Sequence, residues 1–239
     1  MRPYRGRRSP AHAAWRLAAL GALGVFAGLA WRPPAAGTQG DESPADSLWR
    51  QAESLADADS AAFLYELYAA RHGRTPRARQ AHLRLGQYFY ARAEYRDAHR
   101  QFASVTGKGT LGEEARLGMA RCRLALGQFT EARVDASELL RSSSARLAWE
   151  GGYVVALSLQ GEGRTREALS EYLRLLDRPA GPAQPAALLL AARAARSEGQ
   201  SRQAGAGLTR LKREYPDAFE AMEADTVQTE PGAPPAETP

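Results

Sequence analysis

Four alanines recur through the middle of the chain at nearly constant spacing: Ala98, Ala132, Ala168 and Ala204, separated by 34, 36 and 36 residues. Each stands five residues after a small residue, in turn Ala93, Gly127, Gly163 and Gly199. A period in this range marks a stack of supersecondary units, because one such unit cannot bury its apolar face alone. The unit here is a pair of helices. The small residue ends the first helix, where glycine takes a left-handed conformation at little cost. The alanine lies where two helices cross, and a short side chain lets their axes approach. Apolar residues four and seven positions further on, Phe102 and Val105 or Tyr172 and Leu175, form the buried stripe of the second helix. Six Val and no Ile among 239 residues give little support for strands, so the expected fold class is all-α.

The pattern resembles the tetratricopeptide repeat family, whose unit carries a Leu-Gly pair, aromatics on either side of a turn glycine, a crossing alanine and a late proline. The stretch around Ala98 matches most fully, with Leu85, Gly86, Phe89, Tyr95, Ala98 and Phe102, and departs at Ala93. The next keeps Gly127, Phe129 and Ala132, and the third keeps Gly163, Ala168 and Tyr172. The fourth keeps Gly199, Ala204 and Pro216 and is otherwise degenerate, as suits a terminal repeat. Residues 47–76 read as one more pair, with Phe63, Leu64, Leu67 and Tyr68 as its buried stripe and His72-Gly73 at its end. The resemblance implies a right-handed α-solenoid over 46–220, in repeats near 46–76, 79–112, 113–148, 149–184 and 185–220. More narrowly, it is similar to bacterial envelope proteins tied to outer-membrane assembly or to the Tol-Pal system.

The ends differ from the array. Residues 1–16 are basic and acid-free, and Leu17 to Trp31 carry no charge before Arg32, Pro33 and Pro34. This order is that of a secretory signal or signal anchor over 1–37. As a helix the run covers roughly 22 Å, short of the ~30 Å hydrocarbon core, which favours cleavage near Ala35-Ala36-Gly37. Trp15-Arg16 and Trp31-Arg32 at its two ends would suit an anchor that spans by snorkelling. In both cases residues 38–239 are exported, so a periplasmic location is expected. Residues 38–45 form a linker. Residues 221–239, acidic and rich in proline, are expected to be disordered.

The net charge of +5 conceals a segregated chain. Residues 1–37 carry +6, 38–59 carry −5, 60–216 carry +10 and 217–239 carry −6. The excess over neutrality lies in the targeting segment, so nucleic acid is not expected as a partner. With Cys122 alone there is no disulfide and no cysteine-based metal site. His82 and His99 show no ligand spacing, and no phosphate loop, dinucleotide fingerprint or nucleophile elbow is present. No cofactor, metal or enzymatic activity is expected. Cys122, between Arg121 and Arg123, reads as a small hydrophobe in a packed helix, and Ser142 to Ser144 as a loop between repeats.

What remains is a surface. The resemblance implies that the first helix of each pair lines a groove receiving a peptide, at Gln87 and Tyr90, Arg121, Tyr153 and Gln160, and Arg193 and Arg196. Arginines and tyrosines there suit an acidic peptide segment or protein partner. The expected role is an exported scaffold for protein–protein interaction in the bacterial envelope, in contact with the membrane through the N-terminal segment. An accessory of peptidoglycan metabolism or cell division is the alternative.

Overall fold

A computed structural model describes residues 44–229 apart from 74, 106, 180 and 182. Residues 1–37, read above as a signal or anchor, residues 38–43 of the expected linker and residues 230–239 of the expected tail lie outside the described residues. Five helical pairs follow one another: α1 (Pro44–Ser54) with α2 (Ala58–His72), α3 (Pro76–Ala91) with α4 (Tyr95–Ala103), α5 (Thr110–Ala125) with α6 (Phe129–Leu139), α7 (Ala145–Gly161) with α8 (Thr165–Leu176), and α9 (Gln184–Ser197) with α10 (Ser201–Glu214). A last helix, α11 (Phe219–Thr229), closes the array. No strand occurs among the described residues.

The turns inside the last four pairs share one construction. Ala93, Gly127, Gly163 and Gly199 have φ of 61°, 77°, 76° and 75°, so each first helix ends on a left-handed residue. At each turn that residue's N–H bonds the carbonyl three residues back, as Gly127 does with Leu124. The following N–H, as in Gln128 to Arg123, reaches back five. This double bond satisfies carbonyls that a helix end leaves open. Three of the other helices, α2, α3 and α7, start on side-chain caps. Asp57 accepts from the Ser60 amide, Thr75 from Ala78 ahead of Pro76, and Ser144 from Leu147.

The crossing alanines sit where the period places them. Ala98, Ala132 and Ala168 have no exposed surface, and Ala204 is 2% exposed. Ala61, also 2% exposed, is a fifth of the kind in α2, without a glycine turn before it. Phe102 shows how tightly successive pairs close. Its ring lies between α3 and α5, and a methyl group would stand 2.5 Å from it at Gly86 and 2.6 Å at Gly118. Phe102, Val105, Tyr172 and Leu175 are all buried, as their spacing requires.

Polar bonds repeat the period. The second helix of one pair reaches the turn of the next: Arg92 bonds back to Asp59, Arg133 and Thr130 hold Glu162, and Arg166 holds Glu198. Across the other ends, Ser142 bonds Glu113 and Arg146 bonds Glu114. These bonds join residues 29 to 33 apart, so each fastens one pair to its neighbour. The first pair is in register as well. Tyr65 donates to Glu53 twelve residues earlier, and Tyr172 donates to Gln160 over the same separation.

Two sequence expectations change. Phe63, placed in the buried stripe of α2, is 64% exposed; the buried face is Ala61, Ala62, Tyr65, Tyr68 and Ala69. Since α2 crosses its partner at Ala61, a face built on Phe63 lies two residues, about 200°, round the helix. Residues 221–229 are not a disordered tail: they belong to α11. Ala221, Ala224 and Val227 bury one face of that helix on Leu188, Leu189, Leu208 and Leu211. Composition concealed this, because three small apolar residues at intervals of three suffice to cover the end of a stack.

Candidate functional site

The first helices of the pairs present the residues that the resemblance assigns to a groove, and they do not present them alike. On α3, Gln80, Gln87 and Ala91 are exposed, with Tyr90 half-buried beside them. Burial pushes the Tyr90 phenol well above its ordinary range, with the Arg121 charge nearby acting the other way. On α7, every residue from Leu147 to Leu159 is buried. Tyr153 is 2% exposed, its ring stacked on Trp149 at 5.5 Å, and neither its hydroxyl nor the Trp149 indole N–H has a hydrogen-bond partner among the described residues. Gln160 accepts the Tyr172 hydroxyl at 2.7 Å. The structure therefore brings Tyr90 and Arg121 near each other on neighbouring helices, leaves Gln87 exposed on α3 and takes Tyr153 into the core.

The arginines are answered by acids of the chain itself. Arg121 and Arg146 both bind Glu150, whose side chain is 5% exposed. Burial lowers the Arg121 pKa to about 10, with the neighbouring Tyr90 opposing it. Arg146 continues the chain of charge to Glu114 at 2.8 Å. Arg193 binds Glu223 of α11 at 3.0 Å, and Arg196, half-buried at the end of α9, is also held by contacts within the chain. Neither Glu150 nor Glu223 was visible as a partner from composition. The signal that could have found them is the period, since each lies about one repeat beyond its arginine.

The remaining reactive groups are embedded in packing. Cys122 has no exposed surface, and burial raises its thiol to about 12 despite Arg121 beside it. His82 Nδ1 meets Gln101 Oε1 at 2.8 Å, and burial, then the Arg123 charge, lowers the pKa of His99. No cluster of three or more His, Cys, Asp or Glu able to hold a metal occurs among the described residues. None of their helices is long and apolar enough to cross a membrane; the apolar run 17–31 lies outside them.

A row of antiparallel helical pairs, joined by recurrent turns and fastened at one-repeat intervals, defines a helical-repeat protein. Residues 186–218 match the tetratricopeptide repeat family. The match falls on the last pair, which keeps Gly199, Ala204 and Pro216 but the fewest aromatics of the motif. No curated protein matches the chain.

Proposed function

We propose that the protein is a non-enzymatic scaffold of the bacterial envelope that holds a protein partner on the inner face of its helical pairs. The observation that carries this reading is the contrast between α3 and α7. Gln80, Gln87 and Ala91 leave the inner face of α3 open to solvent, whereas α7 is buried throughout. Docking on the N-terminal half, with Gln87 and Tyr90 as contacts, needs no displacement of a bond within the chain. An acidic segment that also used Arg121 or Arg193 would first have to replace Glu150 or Glu223. The apolar run 17–31 supports export, and the Trp15-Arg16 and Trp31-Arg32 pairs at its ends support a retained anchor over cleavage, so the array is outside the cytoplasm and tethered by that run.

Site-specific photo-crosslinking in cells tests the docking face. A crosslinker at Gln87 and one at Ala91 are expected to trap the same protein, and one at Val134, 55% exposed on α6, is expected to trap none of it. Equal adducts at Val134 would refute the inner face as the docking surface.

A further inference from the structure

The two edges of the array are charged differently. Every first helix starts, and every second helix ends, on one edge; the turns within pairs lie on the other. Each edge thus presents both N-terminal and C-terminal helix ends, so the helix dipole gives no reason for either sign. The edge of the turns carries Asp57, Glu94, Glu162 and Glu198; of its arginines, Arg92 and Arg164 are tied into ion pairs and Arg96 and Arg202 are exposed among these acids. The opposite edge carries one exposed cation in or after each of four second helices: Arg71 in the last turn of α2, Lys108 in the connection from α4 to α5, and Arg141 and Arg178 two residues past α6 and α8. Their separations of 37, 33 and 37 residues follow the repeat. None of the four side chains makes a hydrogen bond, ring contact or ion pair among the described residues, and Asp177 is the one acid in the connections around them. Glu113 and Glu114 nearby are taken up by Ser142 and Arg146.

Position adds a second observation. α1 is a first helix, in register through the Glu53–Tyr65 bond, so its N-terminus at Pro44 emerges on the same cationic edge. Arg77 and Arg79 in the first turns of α3 fall on the same edge, both also making contacts within the chain. Residues 32–43, which join Pro44 to the apolar run, reach about 40 Å at full extension.

We infer that this edge docks on the surface of the bilayer that holds residues 17–31, its cations meeting the phosphates of anionic phospholipids. The inference rests on the tether in the reading above and is independent of what the inner face binds. A row of basic side chains held within a short tether of an anionic surface is drawn to it, and the attraction fades with salt. Docked in this way, the array lies with its turn edge away from the lipid and its inner face accessible from the side.

The full chain in nanodiscs of phosphatidylcholine, with or without phosphatidylglycerol, tests the docking by tryptic cleavage after Lys108 and Arg141, since Pro179 blocks cleavage after Arg178. Phosphatidylglycerol is expected to slow these cleavages about ten-fold, and raised salt to restore them. Arg71→Ala with Arg178→Ala should restore cleavage after Lys108 and Arg141; Arg96→Ala with Arg202→Ala, on the other edge, should not. Equal cleavage in both lipids overturns the proposal. So does equal protection by a soluble polyanion in phosphatidylcholine discs, which would make the edge a polyanion site. A chain that fails to enter the discs removes the tether, and this docking with it, while the crosslinking at Gln87 remains a separate test.

Discussion

At the scale of the residue, Ala93 marks where the chain departs from its own rule. Its φ of 61° matches the three glycines at the equivalent turns, yet it carries a Cβ. A left-handed conformation costs an L-residue roughly 1–2 kcal/mol, and glycine loses about 0.5–1 kcal/mol through the freedom it has when unfolded. Ala93→Gly is therefore expected to stabilise the protein by up to about 1 kcal/mol in denaturant titration. An unchanged or lower midpoint would show that the neighbouring bonds of Tyr90 and Glu94 already absorb the strain. Such positions were legible in the sequence because a turn constrains one residue at a time. Phe63 was not: apolar residues run without a break from Ala61 to Tyr65 and leave the sequence nearly silent about which face of α2 is buried, and only the crossing point at Ala61 decides it.

At the scale of the element, what joins α5 to α7 is a buried ion pair as well as a packed stripe. Glu150, with its side chain 5% exposed, lies between Arg121 and Arg146, and Arg121 has a side chain 16% exposed. Removing one member of such a pair strands the other charge away from water and costs about 3–5 kcal/mol, whereas replacing both by apolar groups is often neutral. Glu150→Leu is expected to destabilise by about 3 kcal/mol. Adding Arg121→Met should recover most of the loss, since Arg146 is half-exposed and water can screen its unpaired charge. If the double variant is as unstable as the two single losses combined, packing at these positions matters more than charge. The helices themselves were readable from the period and the turns. The pairing of Arg121 was not, because hydrophobic periodicity reports what is buried and carries no record of which charges meet. The groove residues read from the family pattern accordingly divide into Gln87, still open, and Arg121 and Arg193, already bound.

At the scale of the whole molecule, a stack in which each pair touches only its neighbours has stability that is local and additive along the chain. The first pair ends the array with Trp49 packed on Tyr65 and Tyr68, and α11 ends the other side with small residues. α11 therefore governs the last pair and little else. Val227 has no exposed surface and lies in the same cluster as Leu208 and Leu211. Val227→Asp buries a carboxylate with no cation assigned to it, and detaching α11 is cheaper than keeping that charge dry. The outcome is selective: amide exchange should accelerate in α9 and α10, whose Leu188, Leu189 and Leu208 lose their cover, and stay unchanged in α3 and α4. Arg193, released from Glu223, would then become available on the inner face. Acceleration spread evenly over all five pairs would contradict the nearest-neighbour description, since it would mean that the array unfolds as one cooperative unit and that its closing helix stabilises the whole.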